Sequence, residues 1–274
     1  MKVCVFGASG YVGASIYEKI KQRQELEVIG TYLEEAVFSN LVRLDVNEAE
    51  EFSQFFKKER PDIVVWSVMS GPEEGKVSDQ GLIHLITHLE PSTKLIYISS
   101  DFVFARGKGP YFEEDTPSLL PEDHPLSNYA NAKVKAEKFI QNELTNYLIL
   151  RCGPIYGKNV LGKKDTHTMQ LDTYVQRGES VAFRDDLIRT FVHVEDIANV
   201  VDELLGTKRT GILHVGPEKE ESFFDFMQKR ARHYGLDPNL ITRADPKVQQ
   251  VNSPKNIALV TDRISQVVRT PMRS

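Results

Sequence analysis

Short β-branched, apolar runs recur through the first half of the chain at Val3–Phe6, Glu27–Tyr32, Ile63–Val68, Lys94–Ser99 and Tyr147–Arg151, and Leu41-Val42-Arg43-Leu44-Asp45 reads as a third strand in chain order. Between most of these runs the apolar positions take helical spacing. Val12, Ile16 and Ile20 stand at i, i+4 and i+8, and Leu82, Leu85, Ile86 and Leu89 share one face. Strands alternating with one-sided helices form βαβ units. The expected fold is therefore α/β, a Rossmann-type doubly wound parallel sheet.

Beyond Arg151 the pattern loosens. Gly153-Pro154-Ile155-Tyr156-Gly157 breaks the chain, a lysine-containing loop runs from Asn159 to Lys164, and amphipathic helices at Glu195–Leu205 and Ser222–Tyr234 flank a short strand at Gly211–Val215. The expected organisation is a dinucleotide-binding domain over 1–157, to which 183–215 returns, and a smaller C-terminal substrate-binding lobe over 158–182 and 216–274. The tail from Asp245 is polar, carries Pro246 and Pro254, and is expected to wind over the surface.

Composition narrows the function classes. A net charge of −5 gives no cationic field for nucleic acid or anionic lipid. No apolar run approaches the ~18 residues of a membrane span, and Met1–Phe6 runs too quickly into a glycine loop to be a secretory segment. The expected setting is cytoplasmic, with no nucleic-acid or membrane partner. Cys4 and Cys152 sit in apparent strands and read as buried thiols.

Three segments carry chemistry. Gly7-Ala8-Ser9-Gly10-Tyr11-Val12-Gly13 joins the first strand to the first helix, where glycines permit a tight turn and let backbone N–H groups and a helix N-terminus approach a pyrophosphate. Tyr129-Ala130-Asn131-Ala132-Lys133 opens a helix and sets an ammonium beside a phenol at i, i+4. A cation ~4 Å away at an effective dielectric of ~20 contributes up to ~4 kcal/mol, so Tyr129 is expected to exchange a proton near neutral pH. Finally, Ile96-Tyr97-Ile98-Ser99-Ser100-Asp101-Phe102-Val103-Phe104 is a strand ending in hydroxyls that can hold a carbonyl oxygen. Asp45 allows two readings, an acceptor for an adenine amino group or a helix N-cap in a capping box with Glu48.

Together these segments resemble the extended short-chain dehydrogenase/reductase family, and Ser99-Ser100-Asp101-Phe102-Val103-Phe104 looks most like the corresponding run of dTDP-4-dehydrorhamnose reductases. Leu150-Arg151 through Pro154-Ile155-Tyr156-Gly157 and Arg189-Thr190-Phe191-Val192-His193-Val194-Glu195-Asp196 extend the likeness over nearly the whole chain. The resemblance implies an NAD(P)-dependent oxidoreductase. Ser100 would orient the carbonyl, Tyr129 would be the acid/base, and Lys133 would lower the tyrosine pKa and hold the nicotinamide ribose. It places the cofactor, NAD(H) or NADP(H), against Gly7, Ser9, Gly10, Tyr11, Val12, Gly13, Asp45, Val46, Ser67, Val68, Ser99, Tyr129, Lys133 and Pro154. The substrate, a nucleotide-activated keto sugar, would meet Asp101, Phe102 and Arg189, although an ion pair of Arg189 with Asp185 or Asp186 is an equal alternative. Glu34 and Glu35 beyond the second strand lean toward a free ribose hydroxyl, hence NAD(H). An epimerase of the same fold, a non-catalytic cofactor-binding regulatory subunit and a homodimer stay open.

The chain departs from that family at Trp66-Ser67-Val68-Met69-Ser70-Gly71 and at Ser78, where an Asn-Ala-Ala run and a helix asparagine are usual. Both departures are expected to alter the pocket. Gly157-Lys158-Asn159-Val160-Leu161-Gly162-Lys163 imitates a phosphate-binding loop, but Lys164 stands where a magnesium-binding hydroxyl is required. His84 and His88 share a face without further ligands at metal spacing, so no metal is expected.

Overall fold

The computed structural model describes residues 1–69, 74–104, 108–245 and 254–274. Seven parallel strands form the central sheet: β1 (Lys2–Phe6), β2 (Glu27–Tyr32), β3 (Leu41–Arg43), β4 (Ile63–Trp66), β5 (Lys94–Ser100), β6 (Tyr147–Cys152) and, later in the chain, β11 (Gly211–Val215). Their spatial order is β11-β6-β5-β4-β1-β2-β3, and every neighbouring pair runs parallel. The winding direction reverses between β1 and β4, so a crevice opens at their carboxyl ends. The Rossmann-type expectation is the observed fold.

Strand periodicity explains why both sheet faces are apolar. Val3, Val5, Ile63, Val65, Ile96, Ile98, Leu148 and Leu150 pack on one face against Ile16 and Ile20 of α1 (Tyr11–Lys21) and Ile197, Val201 and Leu204 of α7 (Val194–Leu205). The alternate residues Cys4, Phe6, Val64, Trp66, Leu95, Tyr97 and Ile149 pack on the other face. There they meet Phe52, Phe55 and Phe56 of α2 (Ala49–Glu59), Leu82 and Leu85 of α4 (Leu82–His88), and Ala136 and Ile140 of α5 (Ser127–Glu143). A one-turn helix α3 (Glu74–Lys76) and a π turn lead into α4. Strands buried on both faces read as continuous apolar runs, as these do.

The smaller lobe contains α6 (Thr166–Gln176) and α8 (Phe223–His233), with three two-stranded ladders. β7 (Ile155–Tyr156) pairs with β10 (Val192–His193), β8 (Val181–Phe183) with β13 (Ile241–Arg243), and β9 (Ile188–Arg189) with β12 (Glu221–Ser222). Its core is aromatic, with Phe191 stacked on Phe226 at 3.6 Å between centroids.

The closing stretch differs from the expected surface tail. Asn256 O accepts from Gly109 N at 2.7 Å, Tyr111 N donates to Ala258 O at 2.9 Å, and Ile257 N donates to Ile188 O at 3.1 Å, stitching the chain end between two distant loops. Further on, Ile264 of α9 (Asp262–Ser265) and Val268 join the core under the main sheet. Among the described residues no helix is long and apolar enough to cross a membrane.

Candidate functional site

A cavity of about 920 Å³ lies at the carboxyl edge of the sheet. At one end Gly7, Ser9, Gly10, Tyr11 and Val12 line it. Gly7 turns the chain with φ 79°, in the left-handed region that favours glycine. The first-turn amides of α1 have no intrahelical acceptor, so this end suits an anionic group. Gly13 sits behind the loop: a Cβ there would lie 2.1 Å from Gly7 O and 2.5 Å from Ser67 Oγ. Gly10 is exposed, and a Cβ on it would approach only Gly7 O, at 3.2 Å. The two glycines therefore do different work, one in packing and one in leaving the cavity open.

Val46, Ser67, Val68, Ser99, Ser100, Phe102, Tyr129, Lys133, Pro154 and Arg189 also line the cavity. The Ser67 hydroxyl is used structurally, donating to Phe6 O at 2.7 Å. Ser99 Oγ donates to Glu137 Oε1 at 2.5 Å, and Glu137 takes a bidentate contact from Arg151, with 2.7 Å to Nη2. That buried pair fixes the end of β5 against α5. Ser100 Oγ accepts from Phe102 N and donates to Asp101 Oδ1, both at 3.2 Å.

Asp45 and Asp101 stand apart from the cavity wall. Asp45 Oδ1 accepts from Asn47 N at 2.9 Å and from Asn47 Nδ2 at 3.1 Å, while Glu51 Oε2 accepts from Asp45 N at 2.7 Å. α2 begins only at Ala49, after Glu48, whose side chain caps nothing. An Asx turn thus stands where one of the two readings put a capping box, and Asn47 lines the cavity. Asp101 is fully buried and pairs with Arg189, Oδ2 accepting from Nε at 2.8 Å and Oδ1 from Nη2. Burial raises the Asp101 pKa, and Arg189 opposes the rise. The alternative pairing of Arg189 is overturned: Asp185 pairs with Arg243 and Asp186 with Arg184. The guanidinium also lies 4.4 Å over the Phe102 ring, whose edge meets Tyr129 at 6.2 Å between centroids.

Lys133 acts on Tyr129 in the expected sense, but burial outweighs it. Burial pushes the Tyr129 phenol above its ordinary value, Lys133 and the Ser100 hydroxyl oppose the rise, and Glu74 and Asp101 add to it. The cost of forming a phenolate away from water exceeds the attraction of the nearby cation. Lys133 is itself only 3% exposed, with Nζ 2.7 Å from Glu74 Oε1 and 3.3 Å from the Tyr97 hydroxyl.

Trp66 also needs correction. Its ring points into the core and stacks on Phe6 at 5.5 Å, with Gly81 making room; a Cβ on Gly81 would lie 3.2 Å from Trp66 Cη2. Trp66 itself changes the core and does not line the cavity. Met69 does line the cavity. Ser70, Gly71 and the side chain of Ser78 lie outside the described residues.

The sequence reading missed the wall supplied by the lobe: Lys163, Asp165, Thr166 and His167. His167 rests edge-on against Phe223, and burial together with Arg189 lowers its pKa, leaving a neutral imidazole in the cavity. The segment that imitates a phosphate loop packs on the true glycine loop. Tyr11 OH donates to Gly157 O at 2.8 Å, Asn159 Nδ2 donates to Tyr11 O at 3.1 Å, and Asn159 Oδ1 accepts from Leu161 N and Lys163 N. His84 and His88 bond backbone carbonyls and pack on Phe52.

Comparison with known proteins places this site in context. A family model described as RmlD substrate binding domain matches residues 88–274. The chain is 25% identical over 296 residues to methionine adenosyltransferase 2 subunit beta of Mus musculus, covering 100% of this chain and 85% of the relative. Among solved structures, a hypothetical dTDP-4-dehydrorhamnose reductase from Sulfolobus tokodaii superimposes with a TM-score of 0.82 at 22% identity, covering 100% of this chain and 97% of that one. The dTDP-4-dehydrorhamnose reductase of Bacillus anthracis in complex with NADP gives 0.79 at 20% identity, covering 99% and 95%.

Proposed function

This chain belongs to the RmlD substrate binding domain family, and on that premise we propose that it reduces a keto group on a nucleoside-diphosphate sugar, using NAD(H) or NADP(H). The observation that carries this reading is the convergence of Ser100, Tyr129 and Lys133 on one wall of a cavity whose far end is the glycine loop. The lobe adds His167 and Arg189 to the lining. The likeness to NADP-bound and dTDP-sugar reductase structures supports the same assignment.

When bound, the dinucleotide supplies the hydride. Its pyrophosphate would rest on Gly10, Tyr11 and Val12, its adenosine between Val46, Asn47 and Glu34, and its nicotinamide beside Pro154. Ser100 and Tyr129 then hydrogen-bond one carbonyl oxygen, and the Tyr129 phenol releases its proton to that oxygen as negative charge grows there. A phenol whose proton is held tightly by burial is loaded at neutral pH, which suits reduction better than the reverse reaction. Lys133 stabilises the phenolate left behind. Tyr129→Phe keeps the ring and removes only the donor. Turnover of a 4-keto sugar nucleotide should fall by about 10²–10⁴-fold with cofactor affinity nearly constant, and wild-type turnover in the Phe variant would refute the role.

A second reading is a cofactor-binding regulatory subunit. The likeness to methionine adenosyltransferase 2 subunit beta favours it. No turnover by wild-type protein over a broad panel of keto-sugar nucleotides, with dinucleotide still bound, would establish it over the reductase.

A further inference from the structure

Between the sheet and α5, one contact is foreseen by nothing in the sequence. Glu74, from the one-turn α3, is 1% exposed and places Oε1 2.7 Å from Lys133 Nζ. The ammonium lies 5.0 Å from the Tyr97 ring centroid and 5.9 Å from that of Tyr129. An ammonium has three N–H donors. Glu74 and the Tyr97 hydroxyl engage two, and Lys133 still reaches the cavity wall.

We propose that Glu74 is a positioning residue of this site: its carboxylate holds the Lys133 ammonium between the two tyrosine rings and, by offsetting that charge, sets how readily Tyr129 releases its proton. The inference rests on the reductase reading for what Tyr129 does, but not for the electrostatics. An unpaired ammonium at this place would stabilise the Tyr129 phenolate strongly, because buried charges are weakly screened. A carboxylate against the ammonium offsets part of that field at the phenol, where Lys133 still outweighs Glu74. The phenol then stays protonated at neutral pH until hydride transfer creates an oxyanion to receive the proton.

The other charged groups near Tyr129 cannot take over this part. Asp101 follows β5 and is committed to Arg189 of β9; Glu137 of α5 is committed to Arg151 of β6. Tyr97 on β5 is itself held protonated, its pKa pushed up to about 12 chiefly by burial. Among the described residues, Glu74 is the carboxylate paired with Lys133. Burial works against the charged ammonium, yet Tyr97, Glu74 and Tyr129 together hold the Lys133 pKa above its ordinary value.

The test needs no turnover. In full-length protein carrying ¹³C at tyrosine Cζ, with Tyr129→Phe identifying the resonance, the ionised fraction of Tyr129 is read by NMR as pH rises to 10. Glu74→Gln, nearly isosteric, should raise that fraction about tenfold at a given pH, the equivalent of roughly one unit from removing a nearby negative charge. Glu74→Asp, which draws the carboxylate back by one methylene, should move it in the same sense by less and serves if the Gln variant does not fold. An unchanged or smaller ionised fraction in the folded variants would overturn the proposal. Failure of the reductase reading would show separately, as wild-type protein without turnover whose Tyr129 still responds to Glu74→Gln.

Discussion

The Asp101 carboxylate and the Arg189 guanidinium, 88 positions apart in the chain, form a buried pair with Nε to Oδ2 at 2.8 Å that joins the end of the central sheet to the smaller lobe. The pair keeps Arg189 on the cavity wall, flat over Phe102, whose edge meets Tyr129. Arg189, Phe102 and Tyr129 are thereby braced by one contact.

Removing one partner should be costly. Arg189→Met leaves Asp101 as a buried, unpaired carboxylate and is expected to lower unfolding stability by about 3–5 kcal/mol. Asp101→Asn with Arg189→Met should cost less than the two single changes summed, as urea denaturation of all three variants would reveal.

The two loop glycines should separate by phenotype. Gly10→Ala is expected to fold normally and bind dinucleotide at least about tenfold more weakly, because the methyl enters the space a pyrophosphate requires. Gly13→Ala should lose stability before binding can be measured, since its methyl meets Gly7 O and Ser67 Oγ within the fold. Thermal melting with fluorescence titration distinguishes them, and equal behaviour would contradict the division of labour.

Cofactor preference follows from the adenosine end. Glu34 and Glu35 line the cavity, while Arg43 is drawn to Glu51 at 3.1 Å and does not line it. Carboxylates beside the ribose favour a free 2′-hydroxyl over a 2′-phosphate. NADH should therefore bind more tightly than NADPH in a direct titration; a preference of tenfold or more for NADPH would reverse this assignment.

His214 predicts acid sensitivity. Burial and the neighbouring Arg151 pull its pKa down to about 3, and Nδ1 lies 3.0 Å from Val260 O while Nε2 faces Arg151 Nη1, so the ring is neutral when folded. The unfolded chain takes up a proton near pH 6.5, which the folded chain resists until about 3. This contribution to stability is complete above about pH 6.5 and declines on acidification by up to about 1.4 kcal/mol per pH unit. His214→Gln should flatten the fall in urea midpoint between pH 6 and 4; a parallel fall in both proteins would exclude His214 as its source.

The strands, α1 and the glycine loop were legible because their signals are local: period, β-branching and glycine placement lie within a few residues. What escaped depends on which side of an element a residue faces, or on partners far along the chain. Trp66 adjoins Ser67 in sequence, yet strand alternation turns its ring into the core. His167 and Lys163 reach the cavity only because the lobe folds back over the sheet. Asp45 looked poised for a ligand, and only the fold shows its carboxylate bonded to Asn47. Glu74 carries no period and no motif, so its approach to Lys133 is purely tertiary.

The stitching of Asn256–Val260 between the loop at 108–113 and β9 bears on the order in which a nascent chain matures. β1 to β6 can assemble as soon as Cys152 has been synthesised, bringing the glycine loop to its crevice. β9, which carries Arg189, gains its bonds to 255–257 only after those residues, about a hundred positions beyond β6, have emerged. Domains tend to form as units from the amino terminus during synthesis, so the half that carries the glycine loop matures first and the part of the cavity wall that carries Arg189 is set last. A ribosome stalled short of Lys255 would hold a chain with its crevice formed and its lobe still unfastened.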